Sequence, residues 1–221
     1  MYMTKMALNA GRPGTTRLLS SPQRMHAAVL HGFPPTDAGR VLWRVDARER
    51  HDVSLFVVST EHPDMTSLVE QAGWPARPDA TWEAKAYGPF LDRLAAGQRW
   101  AFRLRANPVI RRRENDRTQT IPLLPKDQLA WLTGRAESLG VAFPHGTDDR
   151  PNIEITEQGR HVFDRRSAAQ GHGRRVTIAH ARYDGVLEVS DPARLQKALI
   201  QGVGRAKAYG CGLLTLAQPA P

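Results

Sequence analysis

Between Ala198 and Ala217 the chain reads ALIQGVGRAKAYGCGLLTLA, which crowds Gly202, Gly204, Gly210 and Gly212 around Arg205 and Lys207. Glycine loses more backbone entropy on folding than any other residue, so a cluster of this kind asks for a reason. Positive φ at such positions turns successive N–H groups toward one point, an anion-binding nest to which Arg205 and Lys207 would add charge. The chemistry would be that of holding a phosphate. The same letters also read as a helix that ends on a Gly202 cap, followed by a loop whose cations face water. Histidine is the other residue type to weigh, because an unperturbed pKa of about 6.5 lets it give or take a proton near neutral pH. The chain has His26, His31, His51, His62, His145, His161, His172 and His180. Histidines and carboxylates do not gather at ligand spacing, so no metal and no cofactor are expected. The spacing a P-loop needs before Lys-Ser/Thr is missing, which argues against a nucleotide hydrolase.

The formal charge of +9 and pI near 10.4 point to a polyanionic partner. Of the basic residues 26 are Arg and 5 are Lys. The planar guanidinium pairs with phosphate in two places and stacks on bases, whereas Lys is a hydrated point charge; GC-rich coding would favour Arg as well. A hydrophobic content of 41% is that of a globular protein. The single Cys211 excludes an intramolecular disulfide and a multi-cysteine zinc site. No apolar run approaches the roughly 18 residues of a membrane span, and MYMTKMALNAGRPG lacks a signal-peptide core. A soluble, cytoplasmic protein is expected.

The elements that must position these residues follow from pattern. MYMTKMALN (1–9) reads as a strand, broken by GRPGTTR. A helix follows over SSPQRMHAAVLHG (20–32), with Ser21 as cap, Pro22 in the first turn and Gly32 as the stop. RVLWRVD (40–46) and DVSLFVVS (52–59) form a hairpin, DMTSLVEQAG (64–73) a short helix and DATWEAKAY (79–87) a strand. Residues 88–97 are a connection. QRWAFRLRAN (98–107) alternates with period two, PKDQLAWLTGRAESLG (125–140) has helical spacing, and NIEITE (152–157), RHVFDRR (160–166) and RRVTIAHARYDGVLEVS (174–190) are extended. SDPARLQKALIQG (190–202) opens on an Asp-Pro cap, and CGLLTLA (211–217) is the last strand. The order β-α-β-β-α-β occurs twice, which predicts an α+β protein of two tandem ferredoxin-like domains, residues 1–90 and 98–221. The tryptophans Trp43, Trp74, Trp82, Trp100 and Trp131 read as core or interface anchors, and nothing matches the aromatic signature of an RRM.

Taken together, GVGRAKAYGCGLLTLA, MYMTKMALN, SSPQRMHAAVLHGFPP, RLRANPV and ARYDGVLEVSDP resemble, in order and in register over nearly the whole chain, the CasE family of CRISPR-associated endoribonucleases of type I-E Cascade. The resemblance implies two RAMP-type ferredoxin-like domains and binding of the stem-loop of the CRISPR repeat transcript. It also implies metal-independent cleavage at the base of that stem, with the product retained in Cascade beside the other subunits. A non-catalytic RNA-binding scaffold of the same superfamily is the alternative.

His26 occupies the position of the family's catalytic histidine. On the helix it lies at the margin of the stripe formed by Met25, Ala28 and Val29, where a side chain can face a cleft. Some relatives place a tyrosine three residues earlier, and here that position is Gln23, which cannot exchange protons. Tyr2, Tyr183 and Tyr209 are unplaced by sequence. In the family the glycine-rich segment approaches the first helix, which implies that Gly202, Gly204 and Gly210 contact RNA backbone and that Arg205 or Lys207 pairs with phosphate. Arg160, Arg165, Arg166, Arg174 and Arg175 surround a small polar tip at 160–175, read as a basic hairpin; in the family a hairpin here engages the repeat stem. Its other reading is a solvated arm. IRRREND (110–116) is a denser basic run, read equally as an unstructured loop or as RNA contact.

Overall fold

Strand β1 (Tyr2–Leu8) buries Thr4, Met6 and Leu8 on one face by simple alternation, and this strand organises the first half of the chain. The computed structural model describes every residue except 35–38, 48, 50–51, 77–80, 115–116, 147–148, 166–173 and 220–221. Its backbone divides into two units, Met1–Arg93 with Lys207–Leu213, and Leu94–Ala206 with Leu214–Pro221.

In the first unit β1 is followed by helices α1 (Pro13–Leu19) and α2 (Pro22–Leu30), strands β2 (Leu42–Ala47) and β3 (Val53–Ser59), helix α3 (Thr66–Ala72), strand β4 (Trp82–Ala86) and the short helix α4 (Gly88–Leu91). The sheet is antiparallel with order β2-β3-β1-β4, the ferredoxin-like arrangement. Met6, Leu8, Met25, Val29, Trp43, Leu55 and Leu68 form its core. The GRPGTTR stretch was expected to be a break, yet it opens α1. Pro13 suits a first helical turn, and the Thr15 hydroxyl donates to the carbonyl of Ala72 at 2.9 Å. Ser21 caps α2 as expected, accepting from the Arg24 N–H.

The second unit holds β5 (Arg99–Ala106), β6 (Val109–Glu114), β7 (Arg117–Pro122), α5 (Pro125–Thr133), α6 (Ala136–Leu139), β8 (Val141–Ala142), β9 (Ile153–Arg165), β10 (Arg174–Val189), α7 (Pro192–Gln201) and β11 (Leu214–Ala217). Sheet order is β11-β5-β10-β8 with β9 also on β10, and every pairing is antiparallel, a second ferredoxin-like sheet. Three readings change here. Residues 110–114 of IRRREND lie in β6 and pair with β7, in a register from Val109↔Pro122 to Glu114↔Arg117, while 115–116 lie outside the described residues. The helix expected over 125–140 is interrupted at Gly134, which caps α5. The described residues of the extended runs at 152–157 and 160–166 fall in one strand, β9, because β10 pairs with it from Ile153 to Arg165, with a register shift between Arg182 and Tyr183. No helix among the described residues is long and apolar enough to cross a membrane.

Candidate active site

His26 sits half-buried on α2, beside the buried stripe of Pro22, Met25 and Val29. From β2 the indole of Trp43, itself 3% exposed, donates its Nε1–H to His26 Nδ1 at 3.3 Å. An indole nitrogen only donates, so Nδ1 is the nitrogen with the free lone pair and Nε2 carries the hydrogen of the neutral ring. Burial lowers the pKa of His26 from its ordinary value, which favours that neutral form. A protonated ring would turn a second N–H toward the indole N–H. The arrangement therefore holds a neutral imidazole with one defined tautomer and Nε2–H as its donor.

The glycine-rich segment is shared between the units. Lys207–Leu213 belongs to the first, where the single 3-10 turn Lys207–Tyr209 packs against α2 and β2. Gly210 has φ +77°, and a Cβ there would lie 2.7 Å from the Trp43 ring, so a side chain would push the indole that orients His26. The segment's end is clamped from β2. Arg44, 1% exposed, donates from Nη1 to the Leu213 carbonyl at 2.9 Å while its Nε and Nη2 bind the Asp46 carboxylate at 2.7 and 2.9 Å. Lys207 is half-buried, and burial, followed by the neighbouring Arg40 cation, lowers its pKa.

Gly202, Gly204 and Arg205 fall in the second unit. Gly202 ends α7 at φ +75°, so the cap reading holds. Gly204, at φ +74°, faces the Trp131 ring, where a Cβ would lie 3.2 Å away. Arg205 donates to the Thr120 hydroxyl of β7. Of the tyrosines, Tyr183 is fully buried with its hydroxyl donating to the Gln128 carbonyl, and Tyr2 packs edge-on to His62. Tyr209 alone of the three lies in the turn that packs on α2. Gln23 is half-buried.

Arg160 is exposed on β9, and Arg165 and Arg174 are backbone register partners at one end of the β9–β10 ladder, with Arg175 next along β10. Arg166 lies outside the described residues. Below Arg160 is a cluster that sequence reading missed. The rings of His161 and His180 stack at 4.8 Å, and Arg105 donates from Nη2 to His161 Nε2 at 2.9 Å. Glu157 binds His180 Nε2 at 3.1 Å and Arg182 Nη1 at 3.2 Å. The hydrogen bond from His180, with the Arg105 and Arg182 cations, holds the Glu157 carboxyl down at about 2 despite partial burial. Burial and the Arg105 cation lower the pKa of His161. Period-two alternation along β9 and β10 would have placed Glu157, His161, His180 and Arg182 on facing positions had the two strands been paired in sequence. Among the described residues no three His, Cys, Asp or Glu side chains gather at metal-binding distance.

Two ferredoxin-like domains, the first presenting a tautomer-fixed histidine from its helix, define a protein of the RAMP fold. The family described as CRISPR associated protein matches residues 1–218. The chain is 30% identical over 221 residues to the CRISPR-associated endoribonuclease Cse3 of Thermus thermophilus, covering 98% of this chain and 100% of the relative. It is also 31% identical over 134 residues to the Cascade subunit CasE of Escherichia coli, covering 56% of this chain and 60% of that one. Among solved structures, Cse3 bound to a 19-nucleotide RNA superposes with a TM-score of 0.74 at 28% identity, covering 98% of this chain and 100% of that one. The Thermus thermophilus Cse3 pre-cleavage RNA complex gives 0.73 at 28% identity, covering 98% of each chain. The chain belongs to the CRISPR-associated CasE/Cse3 family.

Proposed function

We propose that this protein is the CRISPR repeat endoribonuclease of a type I-E system, cutting precursor CRISPR RNA at the base of the repeat stem-loop and staying bound to the product within Cascade. The supporting observation is the His26–Trp43 pair, held in a chain whose full-length relative is named an endoribonuclease. In the reaction the RNA's own 2′-oxygen attacks the adjacent phosphorus. The O2′–P bond forms as the P–O5′ bond breaks, and the 2′-hydroxyl proton ends on the 5′-oxygen. The products are a 2′,3′-cyclic phosphate and a 5′-hydroxyl, and no metal is consumed or required by the balance. The proton passes between these oxygens through solvent; His26 stabilises by an Nε2–H hydrogen bond the oxygen on which charge develops as P–O5′ breaks, and Lys207 neutralises the phosphate from the turn packed on α2. Arg160, Arg165, Arg166, Arg174 and Arg175 of the β9–β10 hairpin track the stem phosphates, and Gly202, Gly204 and Arg205 meet RNA backbone.

The test is end-labelled repeat hairpin RNA incubated in EDTA with the wild-type protein and with His26→Ala. The expected result is one cut at the stem base that survives chelation, carries a cyclic phosphate and vanishes in the variant. Tight binding without a cut by the wild-type protein would overturn it in favour of a scaffold, the outcome that Gln23 invites.

A further inference from the structure

A cleft of about 660 Å3 opens on the second unit, lined by Asn107, Arg111, Trp131, Arg135, Gly204 and Arg205, with Asp127 among its other residues. This is a volume suited to a small ligand. Two of its lining groups are polar, buried and unpartnered. Trp131 is 6% exposed and its indole Nε1–H has no acceptor, and Asn107 is 8% exposed and its amide oxygen has no donor, among the described residues. Buried polar atoms are nearly always satisfied, so one donor and one acceptor left open in the same cleft point to a ligand that supplies both. A nucleobase edge does so. Asp127 offers a further acceptor for an exocyclic amino group.

The rest of the lining fits the same ligand class. The Arg135 guanidinium stacks on the Trp131 ring, 3.9 Å from its centroid, and is held there by donation to the Trp131 carbonyl. Planar cations and aromatic rings are the surfaces on which unpaired bases stack. Arg111 and Arg205 are exposed at the cleft, and Arg205 is bonded to a hydroxyl, a neutral partner that leaves its charge available to an anion. Gly204 keeps the floor open, since a side chain there would meet the Trp131 ring.

We propose that this cleft binds one unpaired nucleotide of the RNA flanking the repeat stem, its base edge on Trp131 Nε1 and Asn107 and its phosphate on Arg111 and Arg205. The inference rests on the RNA-processing reading above and adds a nucleotide-specific site to it. The test measures affinity by fluorescence anisotropy at fixed salt, using repeat hairpin RNAs in which each flanking unpaired nucleotide is made abasic in turn. One abasic position is expected to weaken wild-type binding roughly tenfold, the scale of a single base contact. Trp131→Phe, which keeps a ring and removes the N–H, is expected to weaken binding of intact RNA and to be insensitive to that one position. The exposed variant Arg111→Gln/Arg205→Gln carries the test independently of core packing: its deficit should disappear against RNA with a neutral methylphosphonate at the same nucleotide. Hairpin binding in which every abasic or methylphosphonate penalty adds to those of the variants overturns this inference alone, and is the result expected of a cleft that serves a protein partner. Failure of the wild-type protein to bind any repeat hairpin overturns it together with the reading it rests on.

Discussion

In the first unit the polar contact of His26 is a neutral indole, whereas in the second His161 and His180 stack on each other among Arg105, Glu157 and Arg182. Both environments lower a histidine pKa, by different means. His26 is shifted by burial, while His161 is shifted by burial and then by adjacent cations. A ring with a fixed tautomer and no charged partner keeps Nε2 available for a substrate. Rings whose Nε2 atoms are engaged by Arg105 and Glu157 are spent on holding strands in register. The contrast supports the proposal that gives chemistry to His26 and architecture to the pair.

The largest expected effect separates them directly. His26→Ala should lower the single-turnover cleavage rate by roughly 10²–10³-fold, the range for a lost hydrogen-bond donor to the developing oxyanion, with RNA affinity little changed. His161→Gln should leave the cleavage rate close to wild type. Equal losses in the two variants would dissolve the distinction.

A second prediction concerns the clamp on the glycine-rich segment. Arg44 and Asp46 form a buried pair, and Arg44 also holds the Leu213 carbonyl. Lys at this position keeps the charge and loses the fork, so Arg44→Lys should destabilise the fold by about 2 kcal/mol, the scale of a lost hydrogen bond to a charged group. It should also lower the single-turnover cleavage rate more than it weakens RNA binding, because the turn carrying Lys207 would lose its anchor. Denaturant unfolding and single-turnover kinetics measure both. Trp43→Phe acts one step closer to the chemistry. It keeps an aromatic ring against Gly210 and removes the donor to Nδ1, and the expected loss is about tenfold in rate, the worth of one hydrogen bond. A rate equal to wild type would mean that the indole does not set the tautomer.

How much of this was legible in the sequence depended on range. The Ser21 and Asp191 caps, the Pro22 start of α2 and the Gly202 stop are local rules, and each appears where the letters place it. The role of Trp43 was not legible as anything beyond a core anchor, because its contact with His26 exists only once β2 lies under α2. Glu157 and the four residues around it come from β5, β9 and β10, and no spacing rule links Arg105 to His161. The β6–β7 hairpin was hidden by its own charge: Arg111, Arg112 and Arg113 interrupt the alternation that marks a strand with one buried face, and both strands of this hairpin are largely exposed. Gly204 and Gly210 looked alike in sequence, yet they pack on different tryptophans in different units.

The smallest effects belong to pH and test the comparison without disabling the enzyme. A histidine whose folded pKa lies below its ordinary value of 6.5 binds its proton less readily when folded than when unfolded. Stability from His26 and His161 is therefore complete above that value and is lost as pH falls below 6.5 toward the folded pKa. Glu157 behaves as a depressed carboxyl: its contribution is complete above 4.5 and is lost as pH falls from there through about 2. Thermal melts against pH should thus show two separate declines. Glu157→Gln should flatten the lower one and deepen the upper, because the Glu157 carboxylate partly offsets the lowering of the His161 pKa, while His26→Ala and His161→Gln should each remove part of the upper one and leave the lower. Resolved NMR titrations of the imidazole protons would place His26 below 6.5, and in Trp43→Phe its midpoint should move upward, because the indole N–H no longer opposes a proton on Nδ1. A His26 midpoint at or above 6.5 in the wild-type protein would mean that the ring is protonated near neutrality, and His26 would then work as an acid from the imidazolium form.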